Sequence, residues 1–195
     1  MTGHTRTGRV RIIGGRWRGR RIGFPDVEGL RPSPDRTRET LFNWLAPYLA
    51  GARVLDLYAG SGVLGLEALS RGAVSVTAVD AHQQVVRQLR ETARELNAVD
   101  FTVVPADAMS FLHQAGSRAF DLVFADPPHA GADYNALVEV LDASGVVASN
   151  GWVYLEFPTP HGTRVSFPER WEQYRSSRAG QLTYQLWRRK GHDAD

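Results

Sequence analysis

Hydrophobic positions from residue 52 onward alternate between short apolar runs with strand character and longer stretches with helical spacing. The first run predicts a buried strand over 54–57, and a helix opens after it over 62–69. The same unit recurs as a strand over 74–79 with a long polar helix from 83 to about 97, then a strand over 101–104 with a helix over 108–113. A further strand over 120–125, a helix around 134–141 and a strand over 152–157 complete the series. Strands alternating with helices predict a Rossmann-like, doubly wound α/β sheet in which each parallel neighbour is reached through a βαβ crossover. The rhythm then changes. Segments 171–176 and 182–187 flank Ala179–Gly180 and predict a C-terminal antiparallel hairpin.

Upstream, Arg9, Val10, Arg11, Ile12 and Ile13 alternate as in a half-buried strand, and Gly14–Gly15 predicts a turn into a second strand over 17–22. Residues 9–24 are therefore expected to form a small N-terminal β-hairpin. Residues 24–34, with Pro25, Gly29, Pro32 and Pro34, predict a loop. Ser33 is the expected N-cap of the next helix and Pro34 its first residue, with Leu41, Phe42, Leu45 and Leu49 on its apolar face. This divides the chain into a basic arm over 1–34 and a main domain over 35–195, with residues 1–24 expected to be removable without unfolding the rest.

Composition narrows the function. The 195 residues, 43% of them hydrophobic, suffice for one well-buried domain. With no Cys there is no disulfide, zinc–thiolate site or cysteine nucleophile, which suits a reducing compartment. The six His residues have no close metal-ligand spacing, so no metal is expected. The arginine-rich N-terminus lacks the apolar core of a signal peptide and no apolar run is long enough to span a bilayer, so a soluble cytoplasmic protein is expected; a monomer is the working expectation for its assembly.

The net charge of +2 conceals an asymmetry: residues 1–38 carry +7 and the remainder −5. A basic arm on an acidic domain points to a polyanion, and the interleaving of charge with apolar and aromatic residues favours nucleic acid over a merely solvated tail. The candidate RNA contacts are Arg9, Arg11, Arg16, Trp17, Arg18, Arg20, Arg21, Arg31, Arg36 and Arg38.

Between the first strand and its helix stands Asp56–Leu57–Tyr58–Ala59–Gly60–Ser61–Gly62. Gly60, Gly62 and Gly65 satisfy the dinucleotide pattern G-x-G-x-x-G, a weak signal by itself. Asp56 argues against a dinucleotide, because a carboxylate at this loop repels a pyrophosphate on the helix N-terminus. It favours the α-ammonium of S-adenosyl-L-methionine (SAM), so Asp56, Tyr58, Ala59, Gly60, Ser61 and Gly62 are the candidate cradle. Asp80, ending the second strand, is placed to accept ribose hydroxyls or to cap the next helix. Asp107, after the third strand, either receives an adenine amine, with the Ala108 backbone N–H against the ring, or is an N-cap.

The most informative motif is Asp126–Pro127–Pro128–His129, directly after the fourth strand. Ligands of open α/β sheets bind beyond the carboxyl ends of the strands. Two prolines stiffen the loop and remove two N–H donors. What remains is a carboxylate and carbonyl oxygens, acceptors that can align an exocyclic base amine in line with a methyl donor.

Asp126–Pro127–Pro128 resembles the Asn/Asp-Pro-Pro-aromatic motif of methyltransferases acting on adenine N6, guanine N2 or glutamine amide. Residues 11–20 (Arg11 through Trp17 to Arg20), 30–45 (Leu30 through Asn43 to Leu45) and 55–62 are similar, more narrowly, to the RsmD family. That resemblance implies a class I SAM-dependent methyltransferase fold with an N-terminal β-hairpin extension. It implies methylation of guanine N2 in bacterial 16S rRNA of the small ribosomal subunit, with Asp126 and Pro127 orienting the amine. The family usually has Phe or Tyr where this chain has His129, the residue expected to stack on the extruded base. Rival readings are an adenine-N6 methyltransferase, a glutamine methyltransferase, a non-catalytic RNA-binding module and an NAD-dependent oxidoreductase. The basic arm disfavours glutamine, an intact Asp126–Pro127–Pro128 disfavours the binding module, and Asp56 disfavours the oxidoreductase.

Overall fold

A computed structural model describes residues 7–30, 32–116, 119–129, 131–159 and 165–191; Arg31 lies outside them. The chain opens with β1 (Thr7–Arg11), β2 (Arg21–Pro25) and α1 (Asp35–Leu45). It continues with β3 (Arg53–Asp56), α2 (Val63–Ser70), β4 (Ser75–Asp80), α3 (Gln83–Glu95), β5 (Phe101–Pro105) and α4 (Ala108–Gln114). It ends with β6 (Phe120–Ala125), α5 (Tyr134–Ala143), β7 (Val147–Pro158), β8 (Trp171–Ala179) and β9 (Leu182–Arg189). Seven strands form one sheet in the order β5-β4-β3-β6-β7-β9-β8. The first five are mutually parallel, and β9 and β8 add antiparallel to that sheet's edge. This is the expected doubly wound α/β fold with a C-terminal hairpin.

The two-residue period of the strands sorts side chains onto two faces. Val54, Leu122, Phe124, Trp152 and Tyr154 pack with residues of α1, α2, α3 and the N-terminal hairpin. Their neighbours Leu55, Val123, Ala125, Val153 and Leu155 pack with α4 and α5. Burial on both faces explains why these strands read as continuous apolar runs. No helix among the described residues is long and apolar enough to cross a membrane.

The N-terminal hairpin pairs Val10 with Ile22 and Arg11 with Arg21, but its connection differs from the expected Gly14–Gly15 turn. Residues 12–20 form a long loop containing a 3₁₀ turn at Gly15–Trp17, so Trp17 lies in that turn and not in a strand. Gly15 has φ +72°, and a Cβ there would lie 1.9 Å from the Ser70 carbonyl oxygen. The glycine thus serves a close approach to the end of α2. The arm is also stitched into the core. Val10, Ile12 and Ile22 are buried, Glu67 accepts the Ile13 N–H at 3.2 Å, and Ser70 Oγ accepts the Trp17 N–H at 2.9 Å and donates to the Gly14 carbonyl at 2.7 Å.

Helix α1 starts one residue later than expected, with Pro34 as N-cap and no side-chain cap bond. Ser33 instead turns its hydroxyl toward Glu156. The helix stops at Leu45 and tightens to a 3₁₀ turn over Ala46–Tyr48, because Pro47 cannot continue the i→i−4 ladder. Leu49 is nevertheless buried.

Candidate active site

The strand order reverses at β3, since β4 and β5 lie on one side of it and β6 and β7 on the other. A crevice beyond the carboxyl ends of the strands is expected at such a switch point. A cleft of about 820 Å³ occupies it. Asp56, Asp80, Asp107 and Asp126 reach it from the ends of β3, β4, β5 and β6, and Val27–Leu30 with Pro32–Pro34 form its lip. Because that lip continues directly from β2, the arm leads into the cleft.

Tyr58, Ala59, Gly60, Ser61 and Gly62 line the cleft, as do Ala108, Pro127, Pro128 and His129. Gly62, with φ +74°, caps α2 in the left-handed region, and a Cβ there would meet Leu89 Cδ2 at 2.4 Å. Only glycine makes this left-handed turn without strain and without pushing the buried Leu89 side chain of α3 aside. Asp56 is 2% exposed and its Oδ2 accepts the Gly65 N–H at 3.0 Å. Desolvation pushes its pKa up to about 7, against which the Gly65 bond works; the charge of Asp80 adds to the rise. No Lys or Arg lines this cleft among the described residues, so a bound cation would answer an electrostatic demand that the protein leaves unmet.

Asp80 holds the loop in shape as well as facing the cleft. Its Oδ2 accepts the Gly60 N–H at 3.0 Å and its Oδ1 the His82 N–H at 2.8 Å, while His82 itself caps α3 through Nδ1. Asp107 is the N-cap of α4, accepting the Ser110 N–H at 2.9 Å. The capping reading is thus realised for Asp107 but not for Asp80, since His82 is the N-cap of α3, and both carboxylates line the cleft.

Asp126 is half-buried, Pro127 buried, and Pro128 and His129 exposed. Desolvation and then the carboxylates of Glu156 and Asp56 raise Asp126 well above the usual carboxylate range, opposed by a hydrogen bond from Ser33. His129 Nδ1 lies 3.3 Å from the Tyr134 hydroxyl, whose own pKa is pushed up to about 12 by burial and then by Asp126 and Glu156.

Glu156 was missed by sequence reasoning. It is 3% exposed near the end of β7, and one ligand atom each from Asp126, His129 and Glu156 lie within 4.8 Å of one another. Its one signal in the sequence was a carboxylate inside the apolar run Trp152–Phe157. The expectation of no metal rested on sequence spacing, which does not reach across thirty residues; the trio is two carboxylates with one imidazole beside them.

The candidate RNA contacts are of three kinds. Arg9, Arg11, Arg16, Arg18, Arg20, Arg21 and Arg36 are exposed, although Arg11 pairs with Asp35 at 3.1 Å. Trp17 is half-buried and Arg16 sits 4.1 Å from its ring centroid, so part of the ring is already covered. Arg38 does not face RNA. It is fully buried, donating to Glu67 at 2.8 Å, Asp35 at 2.5 Å, the Arg11 carbonyl at 2.9 Å and the Ser33 carbonyl at 3.1 Å. Helix periodicity explains the correction: Arg38 shares the inward face with Leu41, Phe42 and Leu45, opposite Arg36.

Residues 10–188 match a family described as "Conserved hypothetical protein 95". The chain is 43% identical to "Ribosomal RNA small subunit methyltransferase D" of Escherichia coli (strain K12), with 98% of each chain covered. It is 37% identical to the protein of that name from Haemophilus influenzae, covering 92% of this chain and 94% of the other. Among solved structures, yhhF from Escherichia coli superposes with a TM-score of 0.86 at 42% identity, covering 95% of this chain and 100% of that one. Similarity of this extent, over a fold that places Asp56, Asp80, Asp107 and Asp126 around one cleft, shows that the chain belongs to the family of ribosomal RNA small subunit methyltransferase D, the RsmD family.

Proposed function

We propose that this chain transfers a methyl group from SAM to the exocyclic N2 amine of a guanine in 16S rRNA of the small ribosomal subunit. The observation that carries the reading is the cleft itself: it is lined by carboxylates at four strand ends, has no Lys or Arg among its described lining residues, and carries Asp126–Pro127–Pro128–His129 at its wall. Such a lining suits a cation-bearing ligand and disfavours a pyrophosphate, which needs N–H donors and positive charge. The names of the relatives point to ribosomal RNA as the substrate.

SAM, when bound, supplies an electrophilic methyl group on a sulfonium. Asp56 is the counter-charge for its α-ammonium, directly or through water, and Tyr58–Gly62 is the loop on which it rests. Asp80 accepts the ribose hydroxyls, and Asp107 with the Ala108 N–H addresses the adenine. The chain's own chemistry is then positioning. Asp126 and the Pro127 carbonyl accept the two amine hydrogens of guanine, turning the nitrogen lone pair toward the donor. Pro128 keeps the loop stiff and His129 stacks on the extruded base. Burial makes the ionised Asp126 a strong acceptor for the proton that the amine loses as the N–C bond forms. The exposed arginines of the arm hold backbone phosphates.

Nucleoside mass spectrometry of small-subunit RNA, from cells lacking the gene and after incubation with purified protein and SAM, tests the reading. Loss of one N2-methylguanosine in the cells and its restoration in vitro are expected. Appearance of N6-methyladenosine instead would reassign the substrate.

A further inference from the structure

We propose that Glu156 selects guanine over adenine at this site by accepting the N1–H that adjoins the reacting amine. This rests on the reading above and names the residue that decides the base.

Strands β6 and β7 run parallel and pair through Ala125 and Leu155, so Asp126 and Glu156 leave adjacent strands side by side. Alternation along β7 puts Glu156 on the same side as Tyr154, facing α1 and the Ser33 lip, and its side chain lines the cleft. The carboxylate is anchored by one oxygen: Oε2 accepts the Tyr154 hydroxyl at 2.8 Å and the Ser33 hydroxyl at 3.5 Å. Oε1 has no such partner among the described residues, where no buried side-chain oxygen is left unbonded. Oε1 is therefore the oxygen presented to the cleft, and a Glu156 carboxylate oxygen lies within 4.8 Å of one of Asp126.

Two neighbouring acceptors read a specific base edge. Guanine presents two adjacent donors, the exocyclic amine and N1–H. Adenine presents an amine beside an N1 lone pair, as does cytosine beside N3. With its amine held by Asp126, guanine donates N1–H to Glu156, whereas adenine turns a lone pair toward a carboxylate. Burial raises Glu156 above its ordinary range, against the hydrogen bonds from Tyr154 and Ser33 and the nearby His129, and the Glu156 carboxylate in turn raises Asp126; two N–H donors from guanine stabilise the ionised pair. Sites built around a hydrogen bond discriminate most strongly against analogues that cannot make it.

The test uses the full chain with small-subunit RNA whose modified guanine, located by mass spectrometry with wild type, is replaced through splint ligation by 2-aminopurine or adenine. 2-Aminopurine keeps the N2 amine but has no N1 hydrogen. Wild type is expected to methylate it about 10- to 100-fold more slowly than guanine in kcat/KM, the scale of one hydrogen bond to a charged group. Glu156→Gln, whose amide can donate to an unprotonated N1, should lower the guanine rate and shrink that ratio to a few-fold. Glu156→Asp, which withdraws the carboxylate by one methylene, should lower the guanine rate without closing the ratio. SAM affinity measured by calorimetry shows that each variant is folded. If wild type forms N2-methylguanosine but Glu156→Gln keeps the wild-type ratio, Glu156 does not read N1. If wild type methylates the adenine-substituted position as readily as guanine, the parent reading falls as well.

Discussion

Replacing Glu67 by Gln tests what joins the N-terminal hairpin to the body of the protein. Glu67 is fully buried, and its carboxylate accepts the Ile13 N–H at 3.2 Å, Arg38 Nη1 at 2.8 Å, and Arg71 Nε and Nη2 at 3.1 and 2.8 Å. One side chain on α2 therefore ties together the arm, α1 and its own helix end. Gln conserves volume but removes the charge and turns an NH₂ toward guanidinium donors. Arg38, also fully buried, keeps only Asp35 as a counter-ion, and Asp35 is 44% exposed on its side chain. Losing one partner of a buried ion pair costs about 3–5 kcal/mol. The residual Asp35 contact places this case near the lower end, about 3 kcal/mol, against a total stability of about 5–15 kcal/mol for a typical domain. Equilibrium urea unfolding followed by tryptophan fluorescence and far-UV circular dichroism measures the loss, provided that the two probes coincide and the m-value is unchanged. Arg38→Gln in the Glu67→Gln background should recover part of it, because the stranded charge is then gone. A loss below about 1 kcal/mol, the worth of an exposed pair, would refute the argument that this network holds the arm in place.

Asp56, raised to about 7 from 3.8, holds a proton in the folded state that the unfolded chain releases. Its contribution is full below about pH 4 and lost as pH rises through about 7. At about 1.36 kcal/mol per pK unit this amounts to at most about 4 kcal/mol. Asp56→Asn, which still accepts the Gly65 N–H, should flatten the fall in melting temperature between pH 5 and 8; an unchanged slope would show that Asp56 does not titrate there. Asp126→Ala should slow methyl transfer about 10²–10⁴-fold with SAM affinity preserved, measured by single turnover and calorimetry. His129→Phe should keep or improve activity, whereas His129→Ala should lose about 1–3 kcal/mol of base binding if the ring stacks. Deleting residues 1–24 should lower stability as well as RNA affinity, contrary to a freely removable arm, because it removes the buried Val10, Ile12 and Ile22. RNA affinity of the intact chain should fall with salt at a slope near −0.7 per phosphate contacted.

Much of this protein is determined locally. The two-residue and 3.6-residue periods of its apolar positions specify the strand–helix series, because burial on both faces of a parallel sheet leaves few other arrangements for such runs. Asp56, Asp80, Asp107 and Asp126 were legible as residues of one cleft for a related reason: a βα unit delivers whatever follows its strand to the same edge of the sheet. What the sequence could not settle were relations between distant segments. Arg38 reads as one more cation of a basic arm, and only α1 packing against Glu67 turns it inward. Gly15 reads as a hairpin turn, yet its positive φ serves contact with Ser70, fifty-five residues away. Glu156 is invisible as a residue of the cleft until the parallel pairing of β6 and β7 sets it beside Asp126. Local periodicity specifies which way a side chain faces on its own element; which partner stands opposite depends on crossovers that only the folded chain completes.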